Sequence, residues 1–425
     1  MKKTTFEQRR ELERLDPEAL ARHQLDKLNA LLAKVLPQNR FYHDKLPELR
    51  LPVESMEQLA DLPFTFKDEL AGAAHDDLTA NLTYAIADYV RFHRTSGTRG
   101  RPMIVLDTRD DWQWWIDTWQ FVLDAAELDV GDRGLFAFSY GPFIGFWSAH
   151  DAATARGLLA IPGGGLNTLA RLELAKACSV TAIFCTPSYA LRMCEVAAEN
   201  QIDPATLAVR KVIVAGEPGG SVPAVRERIE AAWNARVIDH AGASEVGPWG
   251  YSDAEGRGLH VVESEFIAEF LSVETGGPAG EQELSELVLT SLGRPGCPVI
   301  RYRTGDLVRP TWNAPGDNRF VLLEGGVLGR ADDMMVIRGV NIFPSSVEQI
   351  LRSFPEIVEY RMIAQRAGEM DSLAVEIEDR LENPERVAKE LRLRLTLKVD
   401  VQCVPLGSLP RFEGKGKRFV DERNT

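Results

Sequence analysis

Several protein classes are excluded by what this chain lacks. No run approaches 18 consecutive apolar residues, so no transmembrane helix is expected. The opening segment Met1–Glu7 turns polar where a signal peptide would turn apolar, and the expected location is the cytoplasm. The five cysteines (Cys178, Cys185, Cys194, Cys297, Cys403) are never spaced C-x-x-C; they read as buried free thiols rather than a zinc site. The seven histidines show neither H-E-x-x-H nor H-x-x-x-H spacing, so metal chemistry built on His and Cys is not expected. Basic charge is also short. A net charge of −14 argues against a nucleic-acid or membrane-surface partner but permits a local basic pocket for an anion.

What is present is ordinary soluble composition, 44% hydrophobic and 26% charged, in a chain of 425 residues that is long for one core. Two or more domains are therefore expected. The first 50 or so residues read as helical, because Leu20, Leu25, Leu28, Leu31, Leu32 and Val35 recur at helical spacing before Pro37. A further helix from Asp110 to Leu128 carries Trp112, Trp115 and Trp119 at i, i+3 and i+7; such a stripe reads as core packing more readily than as a ligand wall.

Short apolar strands then alternate with helical spacing: Leu135–Phe138, Leu158–Ile161, Thr181–Phe184, Lys211–Val214 and Arg236–Ile238. Repeated strand-helix units imply an α/β fold with a mainly parallel sheet covered on both faces. Ligands of such sheets sit beyond the strands' carboxyl ends. The segments placed there are Ser139–Pro142, Pro162–Gly165, Gly216–Gly220 and His240–Glu245. Residues 263–321 read as β-rich, with turns at Thr275–Pro278 and Arg294–Gly296. Beyond Gly325-Gly326 the pattern becomes β-α-β-β-α-β: a strand at Met334–Ile337, a helix at Ser345–Phe354, strands at Val358–Ala364 and Leu373–Ile377, a helix at Pro384–Leu397 and a last strand at Val401–Val404. The expected division is a large domain, residues 1–329, and a small α+β domain, residues 330–425.

Chemistry-bearing residues cluster in a few motifs. Thr95-Ser96-Gly97-Thr98-Arg99-Gly100-Arg101-Pro102 packs hydroxyls, glycines and arginines into one loop between two apparent strands, Tyr89–Phe92 and Met103–Leu106. Loop amides, hydroxyls and guanidinium groups there can bind a polyphosphate, without the spacing of a Walker loop. Taken alone, the same residues also suit a plain turn. Asp306, just after a strand in Arg301–Leu307, can accept from ribose hydroxyls or cap a turn. Glu245 can hold Mg²⁺, since a nucleotide-bound magnesium needs only one or two protein carboxylates, or be a surface acid. Arg330 can reach a nucleotide from the large domain's rim or belong to a charged linker. Lys415, in the glycine-flanked loop Pro410–Arg418, can stabilise charge at a phosphate or lie in a solvated basic tail.

The order of these motifs resembles the adenylate-forming superfamily of acyl-CoA synthetases, and most closely its phenylacetate–CoA ligase branch. The matching residues are Thr95–Pro102, Gly216-Glu217-Pro218, Ala243–Pro248, Val299–Leu307, Gly329–Pro344 and Pro410–Lys415. The resemblance implies ATP-dependent activation of a carboxylic acid to an acyl-adenylate and then transfer to coenzyme A, with a small domain that swings between the half-reactions. It further implies that Thr95, Ser96, Gly97, Thr98, Gly100 and Arg101 form the phosphate loop, and that Gly216, Glu217 and Pro218 line the adenine pocket. Glu245 would hold Mg²⁺, Asp306 and Arg330 would bind ribose, Asp332 would be the hinge, and Lys415 would serve adenylation.

The acyl pocket expected from this resemblance comprises Tyr140, Phe143, Phe146, Trp147, His240, Ala241 and Gly242; the four aromatics from Tyr140 to Trp147 suit an aryl or other hydrophobic acid, and helix or core packing accounts for each of them equally well. Two departures stand out. Arg99 and Arg101 replace a threonine and a lysine that are commoner in the family's loop, and His240 replaces its usual tyrosine. A second enzyme class fits the same motifs: adenylation alone, or transfer to an acceptor other than CoA, such as a cofactor hydroxyl. A homodimer is among the oligomeric forms the sequence allows.

Overall fold

The computed structural model describes residues 4–71, 78–95, 102–253, 255–337, 340–367, 370–395, 397–411 and 418–423. Strands β1 (Tyr89–Arg94) and β2 (Ile104–Thr108) form an antiparallel hairpin, so the phosphate-loop motif connects strand to strand as expected. The apolar strands that follow are β3 (Arg133–Phe136), β4 (Leu159–Pro162), β5 (Ala182–Cys185), β6 (Lys211–Ala215) and β7 (Arg236–Ala243). Downstream lie β8 (Gly247–Ser252), β9 (Gly258–Val261), β10 (Phe266–Ser272), β11 (Ser285–Ser291), β12 (Tyr302–Val308), β13 (Pro310–Thr311), β14 (Leu322–Glu324) and β15 (Gly329–Arg330).

The large sheet runs β13-β14-β9-β8-β7-β6-β5-β3-β4. Its β7-to-β4 half is parallel, and its other half antiparallel. Successive residues of the parallel strands face opposite sides. Phe136, Phe184, Ile213 and Ile238 enter a core with the helix Arg109–Ala125. Their neighbours Leu135, Ile183, Val212 and Val237 enter another with the helices Thr168–Ala177, Pro187–Glu199 and Pro223–Trp233. Burial on both faces explains the unbroken apolar runs in the sequence.

The tryptophan stripe is core: Trp112, Trp115 and Trp119 are buried, and so is Trp114 between them. Thr108 and Asp111 form a capping box at this helix's start. Strand order reverses between β3 and β5, which places a crevice at their carboxyl ends.

A four-stranded sheet, β10-β11-β12-β15, makes the β-rich part. Beyond it come the hairpin β16 (Met335–Ile337) and β17 (Val340–Ile342), then β18 (Ile357–Ala367), β19 (Met370–Asp379), β20 (Asp400–Cys403) and β21 (Phe419–Asp421). The last sheet has the order β20-β19-β18-β21, and a separate core lies against the helices Pro344–Arg352 and Pro384–Leu395. Two expectations change here. Among the described residues the strand expected at Met334–Ile337 pairs with β17 alone, and the strand β21, parallel to β18, had no counterpart among the expected elements. Among the described residues, no helix is long and apolar enough to cross a membrane.

Candidate active site

The base of the phosphate-loop hairpin is closed by Thr95. Its N–H donates to the Met103 carbonyl at 2.9 Å, and its Oγ1 accepts from the Met103 N–H at 2.9 Å. Ser96, Gly97, Thr98, Arg99, Gly100 and Arg101 lie outside the described residues, as does Lys415. The Arg94 N–H donates to the Pro142 carbonyl at 2.6 Å, so the hairpin is tied to the loop that follows β3 at the switch point.

Across the crevice, Glu245 follows β7. The Tyr302 hydroxyl donates to Glu245 Oε1 at 3.0 Å. Burial, then the nearby carboxylate, raises the Tyr302 pKa, and Arg330 and Asp306 also act on this phenol. Tyr302 thus holds the candidate metal carboxylate by a hydrogen bond and lies within electrostatic reach of both candidate ribose residues. Asp306 is brought there by a bulge. Val288 faces Arg303, but Glu286 faces Leu307, so the intervening residues of β12 loop outward, as strands often do beside functional sites. Gly305 sits in that bulge at φ +75°, a left-handed conformation that favours glycine.

Arg330 donates from Nη1 to Asp306 Oδ1 at 3.0 Å and from Nε to Asp332 Oδ1 at 3.2 Å. Residue 330 also pairs with residue 306 across β15 and β12. The expected hinge residue is thus one side chain away from the expected ribose carboxylate.

Gly216, at φ +93°, turns the chain after β6. Pro218 follows in the same loop. The Glu217 carboxylate accepts from the Ser188 N–H at 2.8 Å, at the start of the helix Pro187–Glu199. Its other oxygen lies 3.9 Å from Arg418 Nη1, a residue anchored in the last sheet by Glu359, Nε to Oε1 2.6 Å. Glu217 thus caps a helix and meets the C-terminal unit at the rim of the loop expected to line adenine.

The expected acyl residues divide. Tyr140 packs edge-on against Trp147, centroids 4.6 Å apart, and Trp147 Nε1 donates to the Gly141 carbonyl at 3.1 Å. The Tyr140 hydroxyl has no hydrogen-bond partner among the described residues, and burial raises its pKa to about 12. Phe143 is exposed. Phe146 does not join them: it turns into the core against Phe138 and Phe184. His240 is also withdrawn. Its ring lies 4.1 Å from that of Trp119, and its Nδ1 is 2.7 Å from the Gly250 carbonyl. Ala241 and Gly242 continue β7 beyond it, Ala241 half-buried and Gly242 exposed.

Two residues not singled out from sequence also shape the site: Tyr302 and Arg418. Each acts on a partner distant in the chain, and no local spacing announces such a pairing.

Residues 339–423 match the family model of the AMP-binding enzyme C-terminal domain. The chain is 31% identical to a phenylacetate–coenzyme A ligase of Thermus thermophilus, over 97% of this chain and 99% of the relative. It is 33% identical to the phenylacetate–coenzyme A ligase of Escherichia coli, over 90% of each. Among solved structures it superposes on a 2-hydroxyisobutyryl-CoA ligase in its postadenylation state with TM-score 0.91, at 24% identity over 99% of this chain and 94% of that one. The same ligase in its thioesterification state gives 0.74, at 25% identity over the same shares. Of the two acceptors compatible with the motifs, these relationships select coenzyme A. The chain belongs to the phenylacetate–coenzyme A ligase family, the AMP-forming acid–coenzyme A ligases.

Proposed function

We propose that this ligase activates an aryl or comparably hydrophobic carboxylic acid, held at the switch-point crevice beside Tyr140, Phe143 and Trp147. In the first half-reaction a carboxylate oxygen attacks the α-phosphorus of ATP and pyrophosphate departs. In the second, the coenzyme A thiolate attacks the acyl carbon and AMP departs. A carboxylate is a poor electrophile, and AMP is a far better leaving group than oxide.

The observation that carries the nucleotide site is the Glu245 carboxylate held by Tyr302, with the bonded pair Asp306 and Arg330 within electrostatic reach of the same phenol. Asp306 and Arg330 are assigned to ribose, with Ser96, Gly97, Thr98 and Gly100 on the β- and γ-phosphates, Thr95 and Arg101 completing that loop, and the Gly216–Pro218 loop on adenine. Glu245 suits a magnesium delivered with the nucleotide, where one or two carboxylates suffice. Among the described residues no three metal-ligating side chains converge, so the phosphates would supply the other ligands. Bound there, the ion would neutralise charge on the departing pyrophosphate.

Lys415 is assigned to charge stabilisation during adenylation, and Asp332 to the hinge about which residues 330–425 turn relative to residues 1–329. The closer match to the postadenylation state of the 2-hydroxyisobutyryl-CoA ligase supports a pre-rotation arrangement.

The test is a panel of acids, aryl and aliphatic, incubated with ATP, Mg²⁺ and coenzyme A, reading AMP, pyrophosphate and thioester. Turnover should be highest with aryl acids. A preference for short aliphatic acids would overturn the substrate assignment.

A further inference from the structure

The turn Arg294-Pro295-Gly296 has no part in the assignments above, yet its arginine is wholly enclosed, with 0% side-chain exposure. Nε of Arg294 donates to Asp107 Oδ1 at 2.7 Å. Nη1 donates to the carbonyls of Ser244 at 2.9 Å and Glu245 at 3.0 Å. Asp107 is equally enclosed and lies on β2, the strand that leaves the phosphate loop. It also accepts from Trp115 Nε1 at 3.2 Å, and His93, on the neighbouring strand β1, places Nδ1 3.8 Å from its second oxygen. Burial alone would push the Asp107 carboxyl up, but Arg294 and then His93 hold it below the usual range.

A buried ion pair is seldom kept for stability, since apolar replacements of similar volume do as well or better. Here Arg294 Nη2 has no hydrogen-bond partner among the described residues, which raises the cost further. What the guanidinium does that an apolar side chain cannot is hold two carbonyls in the Ser244-Glu245 turn at a fixed distance from β2. Phosphate loop and metal carboxylate come from segments some 150 residues apart, and the reaction needs them in register to a fraction of an ångström.

We propose that Arg294, held by Asp107, is a positioning residue that registers the Glu245 turn against the phosphate-loop hairpin, and so governs adenylation rather than thioester formation. The proposal rests on the assignment of Glu245 to the nucleotide-borne metal. It predicts an asymmetry between half-reactions that a merely structural arginine would not produce.

The experiment uses the full chain with the paired substitution Asp107→Leu/Arg294→Met, which removes both charges together, and Arg294→Lys, which retains charge but not the fork. Mn²⁺ binding to the enzyme–ATP complex is measured by electron paramagnetic resonance, with Glu245→Gln as control. Acyl-adenylate formation, and thioester formation from supplied acyl-adenylate, are timed separately.

The expected result is at least a tenfold rise in the Mn²⁺ dissociation constant and a loss of adenylation on the order of 100-fold in the paired variant. Thioester formation should stay within about threefold. Arg294→Lys should show the same asymmetry at a smaller factor, and it carries the test if the paired variant does not fold. Folded variants with unchanged adenylation and Mn²⁺ binding, or with both half-reactions reduced equally, would overturn the proposal. If Glu245→Gln itself leaves Mn²⁺ binding intact, the metal assignment fails instead.

Discussion

Arg330 donates to Asp306 across two paired strands, Nη1 to Oδ1 at 3.0 Å, while its Nε engages Asp332 two residues further along the chain. One side chain therefore spans the candidate ribose carboxylate and the candidate hinge. Arg330→Gln should weaken ATP binding about tenfold, in the range of one hydrogen bond to a charged group, and should also alter the balance between half-reactions. Isothermal titration with ATP, together with separate timing of the two steps, reads both. A variant that loses ATP affinity but keeps the ratio of the two rates would confine Arg330 to ribose binding.

The proposed hinge is testable without touching the nucleotide. Asp332 lies in the short helical turn Ala331–Asp333 between β15 and β16. Proline at 332 fixes φ and restricts the residue before it, so Asp332→Pro should leave adenylation largely intact and abolish thioester formation. Unaltered coenzyme A transfer would remove Asp332 from the hinge.

Tyr302 makes a narrower prediction. Its hydroxyl is the donor that fixes Glu245 Oε1, and the ring itself is buried. Tyr302→Phe keeps the ring and deletes the donor, so the fold should survive. The Mg²⁺ concentration needed for half-maximal adenylation should rise about tenfold, as expected for losing a hydrogen bond to a carboxylate. An unchanged Mg²⁺ dependence would mean that Glu245 is positioned without this phenol.

Much of the large sheet was legible because parallel strands buried on both faces write continuous apolar runs; Ile183 and Phe184 point into different cores yet stand side by side in sequence. β21 was not legible. It is three residues long and only partly buried, and its pairing to Met362–Ala364 is set by tertiary contact. The same divide runs through the site. Glu245 and Asp306 stand in motifs whose order carries them, but Tyr302 reaches Glu245 from 57 positions away and Arg294 reaches Asp107 from 187. Phe146 was grouped with its aromatic neighbours because a run without periodicity does not reveal which ring turns inward.

For the acyl site the useful contrast is between acid and nucleotide. Trp147 contacts Tyr140 and holds the Gly141 carbonyl, and no nucleotide role is assigned to it. Trp147→Ala removes a large aromatic surface, so kcat/KM for an aryl acid should fall on the order of 100-fold, matching about 3 kcal/mol. The KM for ATP should stay within about twofold. Parallel changes in both would show that the loop's collapse, rather than the pocket wall, is being measured.

His240 provides a pH signature. The Gly250 carbonyl can only accept, so the Nδ1 beside it carries the proton in the neutral ring. Burial disfavours the imidazolium and lowers the pKa to about 4, below the ordinary value near 6.5 that the unfolded chain retains. The unfolded state therefore takes up this proton first on acidification. Stability is fully present above about pH 6.5 and is lost as pH falls towards 4, by about 3 kcal/mol in all. The adjacent Asp239 has the opposite sign: burial raises its pKa to about 6, so its contribution is lost as pH rises through the window from about 4 to 6. Comparing the wild type with His240→Gln cancels that second term. Urea unfolding at pH 7 and pH 4.5 should show the wild type losing about 2–3 kcal/mol more than the variant, and parallel pH profiles would mean that His240 is not held neutral by its burial.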